Sequence, residues 1–336
     1  MKFSVIIATY NRADYLRDSL ESLAGQATIH DWEVIVVDNN STDNTRSVVE
    51  DAGRRFPVEI KYLFEPQQGK SAALNTAIRA ARGDILALTD DDVRIEPDWL
   101  DQAAEALDRH QCDYVGGKVL PIWGAPPPNW FPNRGWQHLA VIALLDYGPD
   151  PIELVNRSPL GVNMAIRRTA FTRLNLWWDN RVDRQGNSLR GQGQREWCMR
   201  ARKAGLKGFY IPGMIVHHIV PQDRLNKQYF RRWMFWNGIS RAILYEMSGA
   251  DMEGHEQTVP GASMERQIGG VPRYIFRRLA SCGVRFMKAC VRRDRVAMFE
   301  QDMHLWFYAG IIKQRWKDRK NRARVELRTK SVAGNN

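Results

Sequence analysis

The chain has 336 residues, with 49 lysines and arginines against 38 aspartates and glutamates, and this length fits one large α/β domain or a core domain with an appendage. The basic excess is confined to the C-terminal third, because 23 basic but only 11 acidic residues follow residue 220. No apolar run approaches the roughly 20 residues that a bilayer-spanning helix needs, and no zinc-finger or RNA-binding motif occurs. We therefore expect neither a membrane span nor a nucleic-acid partner.

The cysteines and the N-terminus indicate the compartment. The four cysteines lie far apart without C-x-x-C spacing, which indicates neither a disulfide framework nor a structural zinc site and fits a reducing environment. The apolar run in Met1–Ile7 turns polar at Thr9, so it is too short for the core of a signal peptide. We expect a cytoplasmic protein, and the basic C-terminal third suggests peripheral contact with an anionic surface on the inner face of the cell membrane.

Short β-rich runs alternate with helical patterns at the start of the chain. Strands are predicted at Phe3–Ala8, Glu33–Val37, Val58–Phe64 and Asp84–Thr89, and the stretches between them carry apolar residues at helical spacing. Such alternation indicates a mostly parallel sheet flanked by helices. In such sheets, ligands bind beyond the carboxyl ends of the strands.

Polar side chains follow three of these strands. Thr9–Arg12, Asp38–Asp43 and Asp90–Asp92 would all lie at one edge of a parallel sheet. Because three adjacent carboxylates repel one another, we expect a divalent metal that also carries a substrate phosphate to offset their charge. The alternative is a solvated turn that caps the helix predicted at Pro97–His110, but the aspartates lie too far before that helix to be its N-cap.

Gly69-Lys70-Ser71 opens the third helix and resembles the end of a phosphate-binding P-loop. The first glycine of that motif would fall at Phe64, so we reject the P-loop interpretation. Lys70 is then either a phosphate-binding lysine or a solvated residue at a helix start. No G-x-G-x-x-G follows the first strand, so a dinucleotide cofactor is not expected.

The middle of the chain combines strands with irregular segments. Further strands are predicted at Asp113–Leu120, Gly161–Ile166 and Phe209–Val220. The proline- and tryptophan-rich segment Pro121–Pro132 is predicted to be a loop. Its tryptophans either line an acceptor groove or pack against the core.

His217 and His218 lie near the end of the last predicted strand. Adjacent residues of a strand point to opposite faces, so at most one of the two can turn toward the aspartates. We name His217 as the candidate metal ligand, and the alternative is a histidine that packs in the core.

The C-terminal third carries long helical patterns that mix aromatic and basic residues. They begin at Asp223 and recur at Tyr274–Ala289 and Met303–Trp316. Either these helices cover the core, or the segment with Trp306 and Phe307 lies on an anionic membrane as an interfacial helix.

Four stretches taken together resemble one family. Residues 4–12, 36–43, 69–75 and 88–92 are similar, in order and spacing, to the donor half of family 2 glycosyltransferases, and the resemblance continues to about residue 245. It implies the GT-A fold, a nucleotide-diphosphate-sugar donor such as a UDP-sugar, Mn²⁺ or Mg²⁺, a saccharide or lipid-linked acceptor, and transfer with inversion at the anomeric carbon.

The resemblance also implies a division of the chain and a set of site residues. Residues 1–221 would form the catalytic domain, with a donor-binding half at 1–119 and an acceptor-binding half at 120–221, and 222–336 would form a basic amphipathic helical region. Asp38 would bind the donor base, Asp91 would sit near the ribose, and Asp92 would hold the metal with Asp90 supporting it. The donor-binding residues would be Thr9, Asn11, Arg12, Asp38, Asn40, Lys70, Asp90 and Asp91.

The catalytic base departs from the family pattern. The family carries it as the aspartate of a Glu-Asp pair, and the register puts Gly193 and Gln194 at that pair. Glutamine cannot accept the proton, so Glu196, at the start of a predicted helix, is the nearest substitute, and Asp183 or Asp179 on the preceding polar loop are the others. A nucleotide-sugar-binding protein without turnover and a retaining transferase are the alternatives that this departure leaves open.

Overall fold

A computed structural model describes residues 1–132, 139–182, 189–248 and 267–333. The chain divides into two compact units. The first unit comprises Met1–Pro127, Pro132–Asn187 and Gly193–Leu225, and the second unit comprises Pro128–Phe131, Ser188–Gln192 and Asn226–Asn336. The candidate base Asp183 lies outside the described residues. The assignment of donor and acceptor binding to separate halves of residues 1–221 stays a prediction.

The first unit alternates strands and helices. Its elements are β1 (Lys2–Thr9), α1 (Ala13–Ala24), β2 (Asp31–Asp38), α2 (Thr45–Gly53), β3 (Ile60–Phe64), α3 (Lys70–Ala80), β4 (Ile85–Thr89), β5 (Val93–Ile95), α4 (Trp99–Arg109), β6 (Tyr114–Trp123), β7 (Ile152–Glu153), β8 (Asn163–Arg167), α5 (Thr169–Thr172), α6 (Gly193–Lys203) and β9 (Gly208–Val220). The sequence patterns predict the longer elements and miss the short β5, β7 and α5.

The described strands of this unit form one mixed sheet. Its order is β3-β2-β1-β4-β8-β6-β9-β5, and β7 also pairs with β9. The four strands β3, β2, β1 and β4 run parallel, whereas β8 is antiparallel to both β4 and β6. β6 and β9 are again parallel. The predicted α/β class, with a mostly parallel sheet flanked by helices, is confirmed.

Helices cover both faces of the sheet. Phe3, Val5 and Ile7 of β1 pack with α1, α2 and α4, whereas Ile6 packs with α3, α5 and α6. This alternation follows from the period of two in a strand. Because both faces are buried, β4 is apolar from Ile85 to Leu88 and does not alternate apolar with polar residues.

β6 extends further than predicted and corrects the start of the proline-rich loop. Pro121–Trp123 pair in parallel with His218–Val220 of β9. β8 pairs only with Tyr114–Gly116, so among the described strands the far end of β6 has a neighbour on one side. Proline is tolerated at such an edge, because a missing N–H on the open side removes no ladder hydrogen bond.

The second unit is built mainly from three helices. Its elements are α7 (Lys227–Ser248), β10 (Gln267–Ile268), β11 (Val271–Pro272), α8 (Arg273–Arg292) and α9 (Arg295–Ala333). α9 packs on both α7 and α8. Glycines bring α7 and α9 together, since a Cβ on Gly238 would lie 2.0 Å from the carbonyl oxygen of Phe307, and one on Gly310 would lie 2.0 Å from that of Phe235.

The packing of α9 corrects the expectation that Trp306 and Phe307 both face lipid. Phe307 is 9% exposed and belongs to the core between the helices, whereas Trp306 is 41% exposed. None of the helices within the described ranges is long and apolar enough to cross a membrane.

Candidate active site

Three polar segments meet at one edge of the sheet in the first unit. Thr9 pairs with Asp38 where β1 and β2 end together, and Ile7 of β1 pairs with Thr89, the last residue of β4. The strands are parallel, so the residues that follow them leave the sheet on the same side. The expected grouping of residues 9–12, 38–43 and 90–92 at this edge is confirmed.

Asp91 is held by two groups from the end of β1. The Oγ1 of Thr9 donates to Asp91 Oδ2 at 2.7 Å, and Nη1 of Arg12 donates to Asp91 Oδ1 at 3.1 Å. Asp91 is 4% exposed. Burial raises the pKa of Asp91 to about 6, and the neighbouring charge of Asp92 also raises it. The charge of Arg12 acts in the opposite direction but does not outweigh them.

Asp92 is surrounded by three basic side chains. Its Oδ2 lies 2.8 Å from Nη1 of Arg12, 3.5 Å from Nε2 of His218 and 3.7 Å from Nη2 of Arg224. Burial alone would raise the pKa of Asp92, but the hydrogen bond and charge of His218, with the charges of Arg12 and Arg224, outweigh it and hold that pKa well below its usual range. Asp92 is therefore a buried carboxylate that stays ionised.

The register of β5 and β9 corrects the choice between the two histidines. Val93, the residue after Asp92, pairs with His218, and the N–H of Ile219 donates to the carbonyl oxygen of Asp92 at 2.9 Å. His217 points the other way, where its Nε2 lies 2.7 Å from Oε1 of Glu96. His218, and not His217, is thus the histidine beside the aspartates.

Ser19 and Arg224 also belong to this site, and the sequence analysis did not select them. Ser19 Oγ lies 2.8 Å from the carbonyl oxygens of Asp91 and Val93, and it accepts the N–H of Val93 at 3.0 Å. A polar residue among Leu16, Leu20 and Leu23 on the apolar face of α1 is a signal that could have identified it. Arg224 lies in the loop after β9, where the sequence offers no comparable signal.

Asp38 and Asn11 order the loop after β2. Asp38 Oδ1 accepts the N–H of Ser41 at 2.8 Å, and its Oδ2 accepts the hydroxyl of Tyr62 at 2.8 Å. Asn11 Oδ1 accepts the N–H of Thr42 at 2.7 Å. Burial and the bond to Asp38 raise the pKa of the Tyr62 hydroxyl to about 12.

Left-handed backbone at two asparagines shapes this loop region. Asn11 has φ 51° and Asn40 has φ 68°. Asparagine tolerates this conformation better than most residues, so both positions are turns that suit the residue type found there. The side chains of these two predicted donor-binding residues therefore lie on the tight turns just beyond β1 and β2.

Lys70 and Asp90 form an ion pair at the start of α3. The N–H of Gly69 donates to Oδ1 of Asn39 at 2.8 Å, which fixes the start of α3 against the end of β2. Lys70 therefore lies at the sheet edge with the other predicted donor-binding residues, and Asp90, predicted to support the metal, is engaged by Lys70.

The candidate bases lie on and before α6. Glu196 is buried, and both of its oxygens accept from Arg200, Oε1 from Nε at 2.6 Å and Oε2 from Nη2 at 2.9 Å. The same Nη2 donates to the carbonyl oxygen of Trp177 at 2.6 Å. Asp179 accepts hydrogen bonds from three donors of Arg181, its backbone N–H, Nε and Nη2, and these bonds hold the pKa of Asp179 below its ordinary value.

α6 begins at Gly193, three residues before the start predicted at Glu196, so Gln194 lies inside the helix. A Cβ on Gly193 would lie 3.7 Å from Ser71 Oγ of α3, and a Cβ on Gly161 would lie 3.7 Å from Cβ of Gln194. The position at which the family carries its base is therefore close to the start of α3, and it holds an amide.

Comparison with known proteins identifies the class. Residues 4–173, about half of the chain, match the family described as glycosyl transferase family 2. The protein is a glycosyltransferase, and it belongs to family 2, as the four sequence stretches indicate. It is 26% identical over 248 residues to a glucosyl-dolichyl phosphate glucuronosyltransferase of Haloferax volcanii, covering 73% of this chain and 77% of that protein. Other relatives align over shorter stretches: the chain spans 40% of the length of an uncharacterized glycosyltransferase of Nostoc and 23% of the length of TarS of Staphylococcus aureus.

Solved structures share the fold. A mannosyltransferase of Pyrobaculum calidifontis, in complex with GDP-Man and Mn²⁺, matches with a TM-score of 0.62 and 18% identity over 94% of this chain and 87% of that one. TarS residues 1–349 of S. aureus, in complex with UDP-GlcNAc, matches with a TM-score of 0.51 and 18% identity over 90% of both chains. These similarities confirm the GT-A fold.

Proposed function

We propose that this enzyme transfers a sugar from a nucleoside-diphosphate sugar, expected to be a UDP-sugar, to a saccharide or lipid-linked acceptor, with a divalent metal and with inversion. The observation that carries the proposal is the pair of buried carboxylates Asp91 and Asp92, which meets Arg12, His218 and Arg224 beyond the ends of parallel strands. This is the edge of an α/β sheet at which phosphorylated ligands bind.

The donor would lie across the ends of β1, β2 and β4. Asp38, with Asn11 and Asn40 on the adjoining turns, is proposed to contact the nucleoside. The cationic groups Arg12 and Lys70 are proposed to contact the diphosphate, because guanidinium and ammonium groups pair well with phosphate oxygens. Asp91, held by Thr9 and Arg12, would sit near the ribose.

Asp92 and His218 are the residues that we propose for the metal. A carboxylate oxygen and an imidazole nitrogen suit Mn²⁺, and the oxygen also suits Mg²⁺. Nε2 of His218 lies 3.5 Å from Oδ2 of Asp92, so this nitrogen is the one that could share a cation with Asp92. A bound cation would neutralise charge on the leaving nucleoside diphosphate.

With only Asp92 and His218 as protein ligands, the donor would have room to complete the coordination of the cation. Within the described parts of the chain, no group of three His, Cys, Asp or Glu side chains is arranged to hold a metal by itself. Arg12 already pairs with Asp92. We therefore propose that metal and donor bind together, since diphosphate oxygens supply ligands and also accept from Arg12.

An acceptor hydroxyl must lose its proton during inverting transfer. Glu196 is proposed as the base, and it could accept the proton once Arg200 releases one carboxylate oxygen. Asp183, which precedes α6 in the sequence, is proposed as the alternative base. A positioned base is typically worth about 10² to 10⁴ in rate.

The relatives support the substrate classes without fixing them. The Haloferax relative is named as a glucuronosyltransferase of glucosyl-dolichyl phosphate, which supports a lipid-linked acceptor. The bound ligands of the two structural neighbours support a nucleoside-diphosphate-sugar donor, and Mn²⁺ in one of them supports the metal. A cytoplasmic location and contact with a membrane surface stay predictions.

The test compares two carboxylate–histidine pairs, in which the carboxylates Asp92 and Glu96 flank β5 and the histidines lie on β9. Asp92→Asn and His218→Gln should each lower manganese-dependent donor affinity at least tenfold, as measured by calorimetry with UDP- and GDP-sugars. Glu96→Gln and His217→Gln alter the second pair and should leave that affinity unchanged. Unchanged donor affinity with Asp92→Asn would show that the metal assignment is wrong, and equal losses with His217→Gln would indicate a general effect on β9.

A second candidate function is binding of nucleotide sugars without turnover, and Gln194 at the usual base position favours it. Release of free nucleoside diphosphate from a panel of sugar nucleotides, with manganese and a panel of acceptors, separates the two. Donor binding with no release under any condition would favour the second function.

A further inference from the structure

The helix α8 has an unusual distribution of charge. Its 20 residues include five arginines and one lysine and no aspartate or glutamate. One side packs inward, with Ile275, Cys282 and Ala289 buried. The basic residues therefore lie on a helix that is anchored in the second unit and is open on its other side.

The open side also carries apolar residues. Val284 is 47% exposed, Met287 is 61% exposed and Val291 is 86% exposed. Residues spaced by three, four and seven positions lie on one face of a helix, so these three side chains form a continuous apolar stripe. Exposed apolar residues grouped in this way mark a binding surface, whereas isolated ones do not.

Basic side chains border the stripe. Arg278, Arg285 and Arg292 are all exposed and follow at seven-residue intervals, so they lie within about 40° of one another around the helix axis. Arg277 and Lys288 are exposed closer to the stripe itself. The surface thus combines a row of guanidinium groups with an apolar strip that runs beside it.

A cavity adjoins the arginine row within the second unit. Its volume is about 380 Å³, and it is lined by Arg278 and Arg285 of α8 and by His304 of α9, among others. Nδ1 of His304 lies 2.9 Å from the carbonyl oxygen of Glu300, so the ring is fixed at the cavity wall. A cavity with two guanidinium groups suits a phosphate-bearing headgroup.

We infer that α8 docks on an anionic phospholipid bilayer, with Val284, Met287 and Val291 in the interface and the arginine row on headgroup phosphates. An amphipathic helix with a basic polar side has the composition of an interfacial membrane helix. A second copy of α8 would bring arginine rows together without an acidic residue to offset them. Nucleic acid would engage the arginines but would leave the apolar stripe in water.

This inference does not depend on the proposed sugar transfer. It moves the lipid contact that the sequence predicts at Trp306 and Phe307 from α9 to α8, because Phe307 is part of the core. The driving forces are burial of apolar surface and attraction between arginines and anionic lipid, and the second of these is screened by salt.

The test is flotation of the full chain with vesicles of phosphatidylcholine alone, or of phosphatidylcholine with roughly 30% phosphatidylglycerol as the anionic lipid. We expect strong binding only to the anionic vesicles, and weaker binding in high salt. The double variant Met287→Asp, Val291→Asp should lower the partition coefficient at least tenfold. The double variant Arg285→Gln, Arg292→Gln should lower it by roughly fivefold for each arginine.

Ile29→Asp is the matched control, because Ile29 is 92% exposed in the first unit and Val291 is comparably exposed in α8. It should bind vesicles like the unchanged protein, and circular dichroism should show equal helix content in all variants. Equal binding to both vesicle types, or unchanged binding of the α8 variants, would overturn the inference. A dimer in sedimentation that Val291→Asp abolishes would assign the stripe to a second copy instead.

Discussion

The two units of this protein hold charge in different surroundings. In the first unit Glu33, Asp91 and Asp92 are each 4% exposed or less, and donors from other elements meet each carboxylate. In the second unit the arginines of α8 are exposed beside Met287 and Val291. A buried charge costs free energy unless it is paired, so its partners define a site, whereas exposed charge beside apolar side chains defines a surface.

The two units also bring residues together by different means. In the first unit, parallel pairing of β1, β2 and β4 aligns three strand ends, and residues far apart in sequence converge there. In the second unit, Gly238 and Gly310 set the approach of α7 and α9. Substitutions at these strand ends should therefore affect the chemistry of the first unit, whereas substitutions in the second unit should affect packing or surface binding.

The largest expected effect is on the candidate base in the first unit. Glu196→Gln keeps the shape of the side chain and removes its basicity. Turnover should fall at least a hundredfold, in line with the roughly 10² to 10⁴ that base catalysis contributes, while donor affinity holds.

Asp183→Asn and Asp179→Asn are the matched variants for this test. Three donors of Arg181 already bond to Asp179, so Asp179→Asn should change turnover less than Glu196→Gln. If Glu196→Gln is active and Asp183→Asn is inactive, Asp183 is the base instead. If all three are active, the inverting mechanism itself is wrong and a retaining transferase is favoured.

The next effect concerns packing in the second unit. Gly238→Ala places a Cβ 2.0 Å from the carbonyl oxygen of Phe307, so α7 and α9 must separate. Overpacking of this kind costs roughly 1–3 kcal/mol, more than the gain of up to about 1 kcal/mol in helix propensity. We expect a lower midpoint of denaturant unfolding, followed by circular dichroism, with donor affinity in the first unit retained.

Gly283→Ala provides the control, because a Cβ on Gly283 meets no atom within 4 Å. This helical glycine should gain up to about 1 kcal/mol from alanine. Destabilisation of the same size in both variants would mean that loss of glycine, and not the approach of α7 to α9, is responsible.

The sequence predicts the sheet and most of the residues at its edge, because both follow from local pattern. The apolar runs of β1 and β4 and the polar residues directly after them need only the rule that parallel strands end together. The family motifs point to the same positions. The start of the loop at Pro121 was wrong, because the pairing of that segment with β9 is set by tertiary neighbours and not by the prolines.

The choice between His217 and His218 could not be made from the sequence. Val216 and Val220 share one face of β9 with His218, and Ile219 shares the other face with His217. Both faces of this part of β9 therefore look apolar, and the alternation of side chains does not show which histidine faces the aspartates. The register with β5 decides it, and β5 has only three residues. The pairing of Glu196 with Arg200 fits the helical i, i+4 spacing, but the burial of Glu196 depends on the packing of α6 and could not be predicted.

The smallest expected effect tests the contrast between buried and exposed charge within one ion-pair network. Arg82 pairs with both Glu33, whose side chain is 2% exposed, and Glu59, whose side chain is 57% exposed. Glu33 also accepts the hydroxyl of Ser4 at 2.7 Å and the N–H of Arg82 at 2.8 Å. At neutral pH, Glu33→Gln should lower the free energy of unfolding by about 1–3 kcal/mol, and Glu59→Gln by about 1 kcal/mol or less.

The pH dependence of unfolding gives the sign of this effect. Burial alone would raise the pKa of Glu33, but the Ser4 and Arg82 hydrogen bonds and the Arg82 charge outweigh it and lower that pKa. A lowered carboxylate pKa adds stability that is present above the ordinary value of about 4.3 and is lost as the pH falls through the folded-state value. The difference between Glu33→Gln and the unchanged protein should therefore be full at pH 7 and should shrink below about pH 4. Denaturant unfolding at several pH values measures it, and a difference that stays constant across that range would mean that the shape of the side chain, and not the charge of Glu33, stabilises the pairing of β1 with β2.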